Sequence, residues 1–282
     1  MKNSINIVAE IGINYAHGHP DDFQRNARRL IDIAAVAGCT HVKFQIREPE
    51  ESVPPDQWEA PKIVPWRSKP TTYLQYKRDI ELSADKLHEL FSDATERGLI
   101  PFASVCDVTS AHKLYDIDPR IVKLPSAYIT NELLREACLA FDLRMISTGM
   151  STEAEIEEAN YHLKPNVIYH TVSSYPCEVS ELHMMRITFL REKFPGREIG
   201  YSNHAQGLAA IVSSVPFVDW IEFHITEDHR LWGSDQAASI EPQGVIRVVR
   251  AIRDMEEAWG SGYGDRNVLA CEREKRRVLR GA

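Results

Sequence analysis

The sequence predicts a single-domain (β/α)8 TIM barrel, an α/β fold in which eight parallel strands alternate with helices around one core. Short apolar or β-branched runs recur along the chain, and the stretches between them carry apolar residues at helical spacing. Eight such runs can be counted, and 282 residues is a length that one barrel domain can have. Eight parallel strands, each followed by a helix, favour closure into a barrel over an open sheet.

The strands are predicted from the β-branched runs, in chain order, at residues 5–13, 40–46, 99–105, 120–125, 143–148, 166–172, 197–202 and 219–225. Five of the intervening or following helices are legible, at residues 22–38, 83–98, 131–141, 152–163 and 244–260. Thr152 and Glu155 have the spacing of a capping box, and Gly38 and Gly98 stand where helix C-caps belong. The barrel is therefore expected to occupy residues 1–262.

Two segments fall outside this alternation. Residues 47–81, after the second predicted strand, form an unusually long connection that contains Pro and Trp residues. Long connections inside compact domains are usually functional or disordered. Residues 263–282 are rich in charge, and we expect them to form a charged C-terminal tail or helix.

Composition excludes several classes of protein. The net charge of −8 argues against a nucleic-acid partner, although a local basic pocket for one small anion is compatible with it. No stretch has the length or apolarity of a signal sequence or a membrane span. The five cysteines are far apart and form no C-x-x-C pair, which indicates reduced thiols. We expect a cytoplasmic protein without a membrane partner.

Polar side chains follow or end every predicted strand. Because barrel enzymes carry their chemistry on the C-terminal ends of the strands and the loops that follow, these side chains should meet at one mouth. They include two lysines, a carboxylate, a glutamine, several hydroxyls and two histidines. The candidates taken from these ends are Glu10, Lys43, Gln45, Ser104, Lys123, Ser126, Ser147, Ser173, Tyr175, Ser202, Asn203, His204 and His224.

Lys43 and Lys123 stand inside apolar runs, where an unpaired ammonium would be costly to bury. Each lysine therefore needs a negative partner. For either lysine alone, a salt bridge to a neighbouring carboxylate such as Glu10 accounts for this equally well. Two lysines together with hydroxyls from three other strands favour an anion site for a phosphorylated carboxylic acid.

His204 and His224 are separated by one βα unit, so they should lie at adjacent strand ends, close enough to share a metal ion. Either histidine alone is more often a hydrogen-bonded structural residue. The pair favours a divalent metal site, with Asp235 and Glu10 as outer-shell or water-mediated partners. Oxygen ligands and water would complete an open catalytic site.

Seven motifs in this order resemble the sialic acid synthase family over about residues 7–260. They are AEIGIN, VKFQ, VKLPSAYITN, ISTGMST, HTVSSYP, IGYSNHAQG and EFHITEDHRLWGSDQAASIEP. The resemblance implies a barrel enzyme, a transferase of carbohydrate biosynthesis, that condenses phosphoenolpyruvate with an aldehyde sugar to give a nonulosonic acid and phosphate. It also implies a possible homodimer.

The resemblance assigns roles to the residues at the mouth. The phosphoenolpyruvate phosphate and carboxylate would be held by Lys43, Lys123, Ser104, Ser126, Ser147, Ser173 and Ser202. His204 and His224 would hold Mn2+ or Mg2+, which activates the aldehyde. Glu10, Asp235 and Tyr175 would position water and the sugar hydroxyls, and Gln45, Tyr128 and Asn203 are assigned to substrate binding.

Several positions depart from the family pattern. Tyr128 replaces a usual glutamate, and a phenol cannot accept a proton as a carboxylate does near neutral pH. Asn203, Phe223 and Gln236 replace a usual Asp, Lys and His. Most members also continue into a small antifreeze-like domain, whereas this sequence ends at Ala282, so we expect that domain to be absent. An acceptor other than N-acetylmannosamine is therefore expected.

Two other functions are compatible with these residues. One is a catalytically impaired barrel that serves as a binding or assembly subunit, suggested by Tyr128. The other is a metal-dependent pyruvate-type aldolase or lyase that uses the same barrel and metal. Phosphate release from phosphoenolpyruvate distinguishes the leading function from both.

Overall fold

The computed structural model describes residues 4–260 and 268–281 and contains a closed barrel of eight parallel strands. Each strand pairs with its neighbours in chain order, and β1 closes the barrel by pairing with both β2 and β8. All eight predicted strands are confirmed. They are β1 (Asn6–Gly12), β2 (His41–Ile46), β3 (Ile100–Val105), β4 (Ile121–Leu124), β5 (Leu143–Ser147), β6 (Val167–His170), β7 (Glu198–Asn203) and β8 (Trp220–His224).

A helix follows each strand of the barrel. The helices are α1 (Phe23–Ala37), α2 (Ala84–Glu96), α3 (Val108–Ile117), α4 (Glu132–Cys138), α5 (Glu153–Leu163), α6 (Arg186–Lys193), α7 (Ala209–Ser214) and α8 (Pro242–Trp259). The capping box of Thr152 and Glu155 is confirmed at the start of α5, and Gly38 ends α1 with a left-handed φ of 84°. None of the described helices has the length and apolar character that a membrane span requires.

The long connection after β2 is structured rather than irregular. It contains a short helix (Pro49–Ser52), a small antiparallel pair of strands (Pro61–Lys62 with Thr71–Thr72) and a second helix (Tyr73–Ile80). Thr72 caps the second helix by accepting a hydrogen bond from the backbone N–H of Gln75 at 3.1 Å. This capping signal was present in the sequence, and it explains why the segment does not behave as an open loop.

The C-terminal segment contains a helix (Ala270–Arg280) without any buried residue. The predicted boundary after residue 262 falls among residues 261–267, which lie outside the described part of the chain. The boundary therefore stays a prediction.

The barrel interior is layered. An apolar floor of Val8, Phe102, Met145, Val167, Tyr169 and Trp220 fills the N-terminal part of the interior. The Tyr169 ring packs against Gly200 of the neighbouring strand, where a Cβ would lie only 2.4 Å from a ring carbon. Glycine at position 200 therefore makes room for the ring. The functional side chains lie above this floor.

Candidate active site

A cavity of about 300 Å3 opens at the C-terminal mouth of the barrel. Strand register brings its side chains level, because Glu10 of β1 pairs with Lys43 on one side and with His224 on the other. Every predicted site residue except Asn203 lines the cavity. The predicted residues that do so are Glu10, Lys43, Gln45, Ser104, Lys123, Ser126, Tyr128, Ser147, Ser173, Tyr175, Ser202, His204, His224 and Asp235.

The two lysines are neutralised by two buried carboxylates. Lys43 Nζ lies 2.8 Å from Glu10 Oε2, and Lys123 Nζ lies 2.8 Å from Glu222 Oε1, which is also 3.6 Å from Lys43. Both lysines line the cavity as well. The salt-bridge interpretation of the sequence is thus correct for both lysines, and it does not remove them from the site.

Burial and charge act in opposite directions within this cluster. Burial raises the pKa of Glu222, but Lys123 and Lys43 outweigh it and hold that pKa at about 2. Burial lowers the pKa of Lys123 to about 8, although Glu222 opposes the change. The Lys123 ammonium also lies 3.8 Å from the centre of the Tyr169 ring, whose electron-rich face favours a cation. Lys123 and Glu222 therefore remain ionised near neutral pH.

The five predicted serines fall into two groups. Ser104 accepts a hydrogen bond from Lys43 at 2.9 Å, and Ser202 donates to Glu222 at 3.0 Å, so these two orient the charged cluster. The Ser126, Ser147 and Ser173 hydroxyls make no hydrogen bond to another described residue. They lie in the cavity lining at the ends of β4, β5 and β6, where they can bind a ligand.

Gly149 shows how closely two of these hydroxyls approach each other. A Cβ at this position would lie 2.2 Å from Ser173 Oγ and 2.9 Å from Ser126 Oγ. The absence of a side chain thus leaves the space into which the hydroxyls project. Hydroxyl donors beside lysine ammonium groups are the recognition elements expected for a phosphate or carboxylate.

The two histidines lie together under an aromatic ring. The His204 and His224 ring centres are 5.5 Å apart, and Tyr175 lies 4.0 Å from the first ring and 5.7 Å from the second. His204 Nδ1 lies 2.7 Å from the Val172 carbonyl oxygen, which can only accept a hydrogen bond. The proton therefore resides on Nδ1, and Nε2 keeps a free lone pair.

These residues fit a divalent ion as two nitrogen ligands. Burial lowers the pKa of His204 to about 3, so the ring stays neutral, as a ligand must. His224 Nδ1 is buried without a hydrogen-bond partner, 3.9 Å from Asp235 Oδ2. In the described residues, no group of three or more His, Cys, Asp or Glu side chains forms a complete metal cage. Water and substrate oxygens would have to complete the coordination shell.

One sequence assignment needs correction. Asn203 is buried, but its amide accepts a hydrogen bond from Tyr201 Oη and donates one to the Ala205 carbonyl, both at 2.8 Å. Successive residues of a strand face opposite sides. Ser202 and Asn203 therefore cannot both face the interior, and Asn203 belongs to the outer side of β7.

Sequence reasoning missed three charged residues of the cavity. Glu222 could have been found from its spacing, because it stands two residues before His224 and shares its face of β8. Arg47 follows Lys43 and Gln45 at the same two-residue interval. Lys77 could not be found in this way, because it reaches the cavity from the helix within the long connection.

Comparison with known proteins gives a consistent result. The family model described as "NeuB family" matches residues 30–264. The N,N'-diacetyllegionaminic acid synthase of Campylobacter jejuni is 30% identical over 93% of this chain and 79% of its own. The N-acetylneuraminate-9-phosphate synthase of Mus musculus is 32% identical over 94% of this chain and 74% of its own.

Solved structures agree with this. The N-acetylneuraminic acid (sialic acid) synthetase of Leptospira borgpetersenii, crystallised in complex with citrate, superposes with a TM-score of 0.83 at 28% identity. The match covers 99% of this chain and 93% of that one. The barrel is thus shared over nearly the full length of both chains.

Proposed function

The chain belongs to the NeuB family, and from that premise we propose that it is a metal-dependent synthase that condenses phosphoenolpyruvate with an aldehyde sugar. The products are a 3-deoxy-2-keto acid of the sialic type and inorganic phosphate. One observation carries this proposal: three free hydroxyls lie in the same cavity wall as a buried lysine pair, and two neighbouring histidines line that cavity as well.

The anion half of the cavity supports binding of phosphoenolpyruvate. We assign the phosphate and carboxylate to the Ser126, Ser147 and Ser173 hydroxyls together with Lys43 and Lys123. The lysines already carry counter-charges on Glu10 and Glu222, so they are held in place before a ligand arrives. Preorganised donors of this kind avoid the cost of ordering long side chains on binding.

The histidine half supports activation of the aldehyde. His204 and His224 would hold Mn2+ or Mg2+, which would supply Lewis acidity toward the aldehyde oxygen when bound. Tyr175 packs against both rings, and its partial burial together with the nearby carboxylates raises the pKa of its phenol above the usual value, so it stays a neutral hydrogen-bond donor. Tyr175 and Asp235 are suited to orient hydroxyls of the acceptor.

The reaction balances without any other reactant than water. C3 of phosphoenolpyruvate forms a bond to the aldehyde carbon, and the aldehyde oxygen gains a proton. Water adds to C2, and the bond from C2 to the phosphate oxygen breaks, which releases phosphate and leaves the 2-keto group. Glu10 is held by Lys43 and Gln45 in the cavity wall, where it can orient that water.

The test is phosphate release in the presence of Mn2+, phosphoenolpyruvate and a panel of aldoses, with the 2-keto acid measured in parallel. We expect one phosphate for each keto acid, and loss of both with a chelator. Ser173→Ala should raise the KM for phosphoenolpyruvate, whereas Ser213→Ala, on the exposed side of α7, should not.

The other outcomes identify the alternatives. Binding of phosphoenolpyruvate without phosphate release from any aldehyde would favour a binding or assembly subunit. Turnover with pyruvate instead of phosphoenolpyruvate would favour an aldolase. Full activity in the presence of chelator would contradict only the proposed metal dependence and would leave the proposed condensation standing.

A further inference from the structure

A second pair of cations, Arg47 and Lys77, lies at the mouth of the cavity, on a different side from the Ser147 and Ser173 hydroxyls. Arg47 follows β2 and continues the row of Lys43 and Gln45 on the same face of the strand. Lys77 reaches the cavity from the helix Tyr73–Ile80 in the connection after β2. Ser147 ends β5 and Ser173 follows β6, and in the closed barrel these two strands lie opposite β1 and β2.

Lys77 lacks the counter-charge that the other buried lysines have. Lys77 is only 9% exposed, yet its ammonium makes no hydrogen bond and no ion pair with any described residue. It lies 5.3 Å from the centres of the Tyr73 and Tyr76 rings. Ring faces offset part of the cost of burying a cation, but they provide no negative charge.

The carboxylate nearest to this pair is already engaged by the arginine. Glu81 Oε1 lies 2.7 Å from Arg47 Nε, and Glu81 Oε2 accepts a hydrogen bond from the Arg47 backbone at 3.3 Å. Burial raises the pKa of Glu81 to about 7, so this carboxylate is only partly ionised near neutral pH. Asp235 also acts on Lys77 through space, but it forms no ion pair with Lys77 or Arg47 in the described residues, so Lys77 has no paired carboxylate.

A chain of hydrogen bonds and an ion pair links Arg47 to Lys43. Arg47 Nη2 donates to Gln45 Oε1 at 2.8 Å, and Gln45 Nε2 donates to Glu10 Oε1 at 2.9 Å. Glu10 in turn pairs with Lys43. Arg47 is thus fixed in position relative to the reaction centre, and a group bound to it would be held at a defined distance from that centre.

We propose that Arg47 and Lys77 form a second anion subsite, which binds a phosphate or carboxylate carried by the acceptor aldehyde. The assignment to the acceptor rests on the proposed function, since phosphoenolpyruvate is assigned to the serine hydroxyls with Lys43 and Lys123. The anion supplies the missing counter-charge of Lys77. The enzyme accordingly selects an acidic acceptor over a neutral one, and Lys77 is a specificity-determining residue.

The subsite can be tested without turnover. Inorganic phosphate is titrated by calorimetry into the full-length protein saturated with phosphoenolpyruvate, so that the first anion site is filled. The wild type should bind one further phosphate, Lys77→Met should bind it at least about tenfold more weakly, and Lys77→Arg should restore binding. Lys62→Met is the matched control, because Lys62 lies 5.1 Å from the same Tyr76 ring but does not line the cavity.

Turnover then separates the sources of the anion. Aldoses, aldose phosphates and uronic acids are compared as acceptors, and Lys77→Met should lower kcat/KM for the acidic class that is used by a larger factor than for a neutral acceptor, whereas Lys62→Met should lower neither. Preference for the phosphates or for the uronic acids identifies the group. If no acceptor supports phosphate release but the second phosphate still binds to the wild type and not to Lys77→Met, the proposed reaction fails and the subsite stands.

Two results would overturn the subsite. One is an absence of further phosphate binding to the saturated wild type, or binding that Lys77→Met leaves unchanged. The other is a melting temperature of Lys77→Met well below that of the wild type and of Lys62→Met. Removing an unpaired buried charge should not destabilise the fold, so such a fall would mean that the ammonium serves the structure.

Discussion

Replacing Glu222 by glutamine removes one of the two negative charges that neutralise the buried lysines. Glu222 accepts hydrogen bonds from Lys123 through both oxygens at 2.8 Å and one from Ser202 at 3.0 Å. Lys43 lies 3.6 Å away. Glutamine keeps the size and one acceptor oxygen, but Lys43 and Lys123 would then share the charge of Glu10 alone.

The magnitude follows from burial. The side chains of Lys123 and Glu222 are 2% and 4% exposed, so solvent does not screen the lost interaction. Removing one partner of a buried pair costs about 3–5 kcal/mol, and the oxygen that glutamine retains places the estimate at about 3 kcal/mol. An unfolding entropy of about 2.1 cal/mol/K per residue gives about 0.6 kcal/mol/K for the chain, hence a melting midpoint lower by about 5 °C.

Scanning calorimetry measures this shift. Glu157→Gln is the matched control, because Glu157 pairs with Lys193 on the surface and its loss should cost less than about 1 kcal/mol, or about 2 °C. Added phosphate should stabilise Glu222→Gln more than the wild type, since an anion replaces the missing charge. A midpoint shift for Glu222→Gln no larger than that of the control would refute the reasoning.

Three further predictions address the acid limb, the anion site and the metal site. Because the folded pKa of Glu222 is about 2 against a usual 4.5, its stabilising charge is complete above about pH 4.5 and is lost towards pH 2. Calorimetry at pH 6, 4 and 3 should show a steeper loss for the wild type than for Glu222→Gln, and equal slopes would contradict this. In Gly149→Ala, the new Cβ would displace the Ser173 and Ser126 hydroxyls. Because a hydrogen bond to a charged group is worth about 1.5–3 kcal/mol, phosphoenolpyruvate binding should weaken about tenfold or more. An unchanged calorimetric Kd would disprove it. His204→Gln should abolish Mn2+ binding, measured from the spin-resonance signal of the free ion. His88→Gln is the control, because His88 is exposed on α2, and it should bind Mn2+ as the wild type does. Retained Mn2+ binding by the His204→Gln variant would exclude His204 as a ligand.

The sequence predicted all eight strands because buried parallel strands are short, apolar and regularly spaced, whatever the details of packing. It also located most of the cavity lining, because the carboxyl ends of the strands in a barrel meet at one mouth. Lys43, Lys123 and Ser147 were found in this way. Helices α3, α6 and α7 were expected between strands, but the sequence did not delimit them.

Pairing between distant residues could not be read from the sequence. Lys123 and Glu222 are 99 residues apart, and nothing in either segment names the other as its partner. The sequence left open whether Lys43 and Lys123 bind an anion or pair with a carboxylate. The closed barrel places Glu10 and Glu222 beside the two lysines, so each lysine pairs with a carboxylate and still lines the cavity.

What the sequence determined by itself is the barrel and the set of chemical groups at its mouth, since both follow from local periodicity and from strand direction. What only the tertiary structure decided is which groups are neutralised and which are free. Asn203 faces outward because side chains alternate along β7. Lys77 enters the cavity because the connection after β2 folds into a helix, and its charge is unpaired because Glu81 is engaged by Arg47. Whether a charged side chain is paired depends on its distance from side chains of other segments, and those distances are set only when the barrel closes.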